Sequence, residues 1–270
     1  MNYQESRPTS DLCQIVKCYW ALEYDKQHGS QPELVLPDGC PEIVFNLSDR
    51  FLRVHSDSEE RQPGTLFAGQ MSRSIMLRPS GSVKLFGVRL QPAGASSLVN
   101  FPVSEITDAI VGFDDACGRE GRELEERLNL ATTFEERIWI FEAWVRTKRS
   151  QTVNRDQLAS EASLLIAEGR GSHSISTIAN RIGVSERRLE RHFKHRIGIS
   201  PKTFSRIVRF QAVVRSVQND MTVDVLETAL DLGYYDQSHL IRDFREFSGI
   251  TPQAFFERTH QISDIFTGAA

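Results

Sequence analysis

Two stretches of this sequence carry the same pattern. Ile175, Ala179 and Gly183 recur as Val225, Ala229 and Gly233 at an offset of 50. Leu189, Phe193, Gly198 and Pro201 recur as Leu240, Phe244, Gly249 and Pro252 at an offset of 51, so the second copy has one extra residue just after its glycine. Each copy reads as a short helix, a glycine turn, a second helix, then another glycine and a Ser-Pro or Thr-Pro start. In the first copy Gly183 is free to take the left-handed conformation that ends a helix, and Ser185 sits where a hydroxyl caps the next one. Leu189 and Phe193, four residues apart, share a buried face, which leaves Arg187, Arg188, Glu190, Arg191, Lys194 and His195 mostly outward. Ser200-Pro201 starts a third helix, Ser as N-cap and Pro at its first position. Two short helices crossing at a glycine turn form a helix-turn-helix. Its second helix fits the major groove of B-DNA and reaches base edges with its N-terminal half. A connecting helix from Pro201 to Asn219 spans roughly 28 Å at 1.5 Å per residue, near the ~34 Å between successive major-groove faces.

The distribution of charge agrees with an anionic partner for this region. The chain of 270 residues is net −4 overall. Residues 172–215, however, hold ten basic groups against Glu186 and Glu190, net +8, while residues 1–150 and 216–260 are each net −5. A basic face is by itself only a solvated face; beside a helix-turn-helix it becomes a footprint for phosphate.

The duplicated motif resembles the DNA-binding domain of the AraC/XylS family of bacterial transcription regulators. The resemblance is carried by Ile175, Ala179, Gly183-Val184-Ser185, Arg188-Leu189, Arg191, Phe193, Gly198-Ile199-Ser200-Pro201, Arg209 and Ala212, and in the second copy by Ala229, Gly233 to Leu240, Phe244 and Gly249-Ile250-Thr251-Pro252. It implies about seven helices with two recognition helices in adjacent major grooves. By position, base contacts then fall on Arg187, Glu190 and Arg191 in the first helix and on Gln237, Ser238, Ile241 and Arg242 in the second. Arginine suits guanine O6 and N7, and Ile241 offers only apolar contact, for example to a thymine methyl. Phosphate contacts are expected from Ser185, Arg188, Lys194, His195, Arg196, Lys202, His239 and Arg245, with Arg188 equally placed for a structural ion pair. The second copy is acidic at Asp231, Asp236, Asp243 and Glu246, which predicts weak phosphate binding there. His192 and His195 miss the i,i+4 spacing of a metal pair.

Residues 12–100 read as short strands between turns: Leu34-Val35-Leu36 before Pro37-Asp38-Gly39, then Glu42 to Leu47, Phe67-Ala68-Gly69, Ser74 to Leu77 and Val83 to Leu90. The stretches Leu36 to Asn46, Gly69-Gln70, Arg78 to Gly81 and Phe86 to Ala95 resemble a cupin-like β domain, of no defined ligand, often attached to AraC-type regulators. Helices follow over 101–149. Thr133-Phe134-Glu135-Glu136 fits a capping box, and Phe134, Ile138, Phe141 and Val145 make an apolar stripe that reads as core rather than as a dimer seam. This helix is expected to close near Lys148-Arg149, and polar residues 146–156 look like a linker.

The predicted fold is therefore α+β: a β-rich cupin-like barrel or sandwich with trailing helices over 1–150, a linker over 151–156, an all-α double helix-turn-helix over 157–260 and a tail over 261–270. The expected function is a sequence-specific transcription regulator bound to double-stranded DNA. Its N-terminal half would sense an unknown small-molecule effector or form a homodimer, and RNA polymerase is a partner by family resemblance. No run approaches a membrane span, and the start lacks a signal-peptide pattern, so the cytoplasm is expected. No catalytic role, cofactor or metal is expected: the β region offers only His28 and His55, far apart, and Asp38 in its turn reads as bonding its own backbone. Arg73, Arg78 and Arg89 read as surface or paired residues rather than an effector site. Two other readings remain. One is a thiol sensor at Cys13, Cys18 or Cys40, which needs a depressed pKa and access; the fourth cysteine is Cys117. The other is a protein-interaction module that binds no DNA.

Overall fold

A computed structural model describes residues 1–24, 31–151, 157–220 and 222–257, with the backbone alone at 149–151. Ten strands come first. Six of them, β1 (Asn2–Ser6), β2 (Val16–Tyr24), β9 (Val83–Leu90), β4 (Glu42–Asn46), β7 (Thr65–Ala68) and β10 (Ile110–Gly112), form one antiparallel sheet in that spatial order. The others, β3 (Glu33–Val35), β8 (Ile75–Pro79), β5 (Phe51–Val54) and β6 (Glu59–Arg61), form a second antiparallel sheet.

The period-2 alternation of the long strands assigns the two faces of the large sheet. Cys18, Trp20, Leu22 and Leu85 face the small sheet, where Phe51 and Leu77 meet them. Tyr19, Phe45, Phe86 and Val88 face the opposite way, against α1 (Phe113–Leu130) and α2 (Phe134–Gln151). On that second face Phe45 meets Phe86, Phe113 and Phe141 at centroid distances of 5.6–6.3 Å, in the tilted and edge-to-face arrangements that aromatic quadrupoles favour. The stripe Phe134, Ile138, Phe141 and Val145 belongs to this core.

The β part is longer than the 12–100 expected from the sequence: β1 begins it and β10 ends it. The stretch 146–151 is the last part of α2, not linker. Its polar residues are accommodated on the outer side of the helix, where Arg146 pairs with Glu142 and Asp11 and Lys148 pairs with Glu120. The rest of the expected linker, 152–156, and the tail 261–270 lie outside the described residues. The cap of α2 is a variant of the expected box. Glu136 N–H donates to Thr133 Oγ1 (3.1 Å), but the Glu136 carboxylate accepts from Thr132 N–H (2.8 Å), one residue earlier.

Seven helices complete the described chain: α3 (Leu158–Glu168), α4 (Ile175–Ile182), α5 (Glu186–Ile197), α6 (Pro201–Asn219), α7 (Val225–Asp231), α8 (Gln237–Ser248) and α9 (Pro252–Phe256). They share one core, which takes in Leu34, Leu36 and Ala93 from the β half. A strap between β3 and β4 makes that junction. Asp38 Oδ1 accepts from Cys40 N–H (2.9 Å), the turn read from the sequence. The Gly39 carbonyl accepts from Gln70 Nε2 (2.7 Å), and the Pro37 carbonyl accepts from Gln211 Nε2 on α6 (2.8 Å). A Cβ on Gly39, whose φ is +79°, would meet the Phe204 ring of α6 at 2.7 Å. Behind the strap, Arg89 Nε donates to Glu42 Oε1 (2.9 Å) and lies 3.6 Å from Asp38 Oδ2, while Trp20 Nε1 donates to the same Glu42 oxygen (3.1 Å).

Trp20 also fixes a glycine. It lies across the sheet from Gly87, and a Cβ there would collide with the indole ring. Gly87→Ala is therefore expected to destabilise the protein by about 1–3 kcal/mol through overpacking, read as a lower urea midpoint at unchanged slope.

Candidate nucleic-acid interface

Local chemistry starts each helix of the duplicated region where the sequence placed it. The Ser174 side chain accepts from Thr177 N–H, Ser185 from Arg188 N–H and Ser200 from Thr203 N–H. In the second copy Asp224, Asp236 and Thr251 do the same for α7, α8 and α9. Gly183 ends α4 with φ +80°, a conformation costly for a residue with a Cβ. The two copies differ at their turns. Val184 alone separates Gly183 from the cap Ser185, whereas Tyr234 and Tyr235 separate Gly233 from the cap Asp236. The inserted length projects a ring into solvent: Tyr234 is buried and Tyr235 is 88% exposed.

Leu189 and Phe193 of α5, and Leu240 and Phe244 of α8, are buried. The opposite face of α5 exposes Arg187, Arg188, Glu190, Arg191, Lys194 and His195, with Ser185 exposed before it and His192 and Arg196 half-buried. On α8, Gln237, Ser238, Arg242 and Arg245 are exposed, while His239 and Ile241 are half-buried. Lys202 is exposed in the first turn of α6. The sequence-predicted residues thus lie on two outward helix faces joined by α6.

α6 carries both units on one set of rings. Phe204 meets Phe193 of α5 edge-on at 5.5 Å, and six residues later Phe210 meets Phe244 of α8 at 4.8 Å. Arg206 locks the second unit: it donates to Asp243 Oδ1 (2.7 Å) and Glu246 Oε2 (2.6 Å) and lies over Phe247. Arg209 donates to the Gly233 carbonyl (3.0 Å) and covers Tyr234. Two consequences escape a local reading. Arg206 and Arg209 belong to the basic block by composition but serve internal contacts. Asp243, Glu246 and Asp236 look phosphate-repelling in sequence, yet the first two are paired with Arg206 and the third caps α8 through His239 N–H.

The β half holds both units. Thr107 Oγ1 donates to the Gly198 carbonyl at the end of α5 (2.8 Å), and Ser74 N–H donates to the Phe247 carbonyl of α8 (3.0 Å). The sequence offered no signal for either bond, since both are long-range.

The remaining candidates resolve as follows. Arg89 and Arg78 are paired, with Glu42 and Glu59 respectively. Burial pushes the Cys18 thiol up to about 12 and the Cys40 thiol up to about 11. Neither has the depressed pKa that a thiolate sensor requires. Cys13 is exposed. His28 lies outside the described residues. Among the described residues no group of three or more His, Cys, Asp or Glu is placed to hold a metal ion, and no helix is long and apolar enough to cross a membrane.

Residues 178–258 match a helix-turn-helix domain and residues 4–112 match a domain of unknown function, DUF6597. No curated protein matches the chain. Among solved structures, ToxT from Vibrio cholerae is similar at 8% identity, over 88% of this chain and 98% of that one, with a TM-score of 0.51. A second ToxT structure, bound to (E)-4-(8-methylnaphthalen-1-yl)but-3-enoic acid, is 10% identical over the same shares with a TM-score of 0.50. At such identities the likeness is one of fold.

Removing Arg206 would strand the buried Asp243 carboxylate, so Arg206→Ala is expected to cost about 3 kcal/mol in urea unfolding. Arg206 also holds the Glu246 carboxyl below its ordinary value of 4.5. Its contribution is complete above that value and fades as pH falls through the lower folded one. Stability should therefore drop on acidification below about pH 4.5, and Glu246→Gln should flatten that limb of the pH–stability curve.

Proposed function

We propose that this chain, whose C-terminal third is an AraC-type helix-turn-helix domain, is a DNA-binding transcription regulator that reads two adjacent major grooves. The observation that carries this reading is the pair of outward polar faces on α5 and α8, mounted on one continuous α6. In this reading Arg187, Glu190 and Arg191, with Gln237, Ser238, Ile241 and Arg242, meet base edges. Ser185, Arg188, Lys194, His195, Arg196, Lys202, His239 and Arg245 meet phosphates. Affinity comes largely from the basic surface of the first unit through release of counterions, and specificity from base contacts. With Asp243 and Glu246 neutralised by Arg206, the second unit presents Arg242 and Arg245 to the duplex with less opposing charge than the sequence implied.

The N-terminal half acts as the effector-responsive part. Its bonds to Gly198, Gln211 and Phe247 support this role, because a change in the β half would be felt by both units. The fold shared with ToxT, which has been solved with an organic acid bound, supports a small-molecule effector. The regulator works in the cytoplasm, as a homodimer or monomer, with RNA polymerase as its partner at promoters.

A gel-shift titration on the DNA upstream of its own gene, across a salt series, tests the reading. Binding should weaken steeply with salt, in a log–log line whose slope counts the phosphates neutralised. Arg191→Ala should cost on the order of 1–3 kcal/mol of discrimination at one base pair while sparing random DNA. Equal losses on specific and random DNA would refute base reading by Arg191, and no shift at any salt would favour an interaction module.

A further inference from the structure

The two halves enclose a cleft of about 550 Å³, within the range of small-molecule sites. One wall comes from the β half, at Cys13 to Lys17, the strap and residues 91–93. The other comes from α3 and from the face of α6 that ends in Arg215 to Asn219. Its charge is one-sided. Lys17, Arg170 and Arg215 line it, and its single carboxylate, Asp38, is turned to Arg89. Arg170 sits in the left-handed region at φ +49°, a backbone conformation rare outside glycine and asparagine. The cleft also contains a polar atom left over from folding. Gln211 is 3% exposed; its amide nitrogen is committed to the Pro37 carbonyl, which leaves Oε1 an acceptor without a partner. A buried acceptor without a donor costs about 1–3 kcal/mol, so a molecule presenting an O–H there is favoured over a purely apolar one. A second cavity between the sheets is apolar and only about 80 Å³, too small for such a ligand.

We propose that this cleft binds a small polyhydroxylated anion of the sugar-phosphate kind, its charged group among Lys17, Arg170 and Arg215 and one hydroxyl donating to Gln211 Oε1. This deepens the effector-responsive reading above and rests on it. Three cations facing no free carboxylate suit a dianion better than a neutral sugar, and several polar side chains along α3 and α6 meet the remaining hydroxyls. Because α6 is a wall of the cleft and also the mount of both recognition helices, occupancy acts directly on their relative placement.

Cys13 is exposed and lines the same cleft, so it serves as a reporter. Alkylation of Cys13 by iodoacetamide in the full chain, followed by peptide mass spectrometry, should slow at least tenfold in 5 mM glucose 6-phosphate. Neither glucose nor octanoate should protect it. Lys17→Gln and Arg215→Gln should each abolish the protection, and the first, on a surface side chain, keeps the test valid should the second misfold. Unchanged alkylation with glucose 6-phosphate, equal protection by octanoate, or protection that survives both substitutions overturns the proposal. Gel shifts on the same preparations separate the two readings. Protection without DNA binding removes the regulator and keeps the site, whereas DNA binding without protection removes the site alone.

Discussion

A guanidinium that is 2% exposed organises the junction of this protein. Arg89 sits inside the large sheet, where an unpaired charge is prohibitive, and its partners Glu42 and Asp38 flank the strap that runs between β3 and β4. Burial raises the Glu42 carboxyl above its ordinary range while the guanidinium and the Trp20 N–H pull the other way. Because Asp38 is bound both to Arg89 and to the Cys40 amide, the turn at Gly39 is held in place. Gly39 can then lie on Phe204 without a side chain between them. One buried ion cluster in the β half thus fixes the height of α6.

From α6 outward the organisation is that of a beam with two mounts. Phe204 and Phe210 are six residues apart, and each receives the ring of one recognition helix. Arg206, between them in sequence, ties down the acidic side of the second. The polar residues left over on α5 and α8 are then outward by default, since the opposite face of each helix is used by packing.

The repeat and its caps were legible because they depend on neighbours in sequence: Ser185 for α5, Ser200-Pro201 for α6, Gly183 for the turn. The alternating strands of the core were legible for the same reason. Strands β1 and β6 were not, since they are mostly exposed edge segments with no apolar alternation. The polar end of α2 resembled a linker because its partners, Asp11 and Glu120, lie far away in sequence. The acidic second copy misled in the same way, for Asp243 and Glu246 are answered by an arginine 37 and 40 residues earlier. Of the interface, the outward faces could be read from spacing. The grip of the β half on Gly198 and Phe247, and the unsatisfied Gln211 oxygen, could not, because each arises only when distant segments meet.

The uninterrupted course of α6 has a last implication. A 19-residue helix buried along much of its length is a stiff ruler, and the protein has no hinge there with which to follow a partner. At about ten base pairs per turn, a single base pair inserted between two half-sites swings one of them by roughly 35° around the duplex axis. A rigid ruler cannot track that rotation, so the phase of the two half-sites becomes as strict a requirement as their sequence.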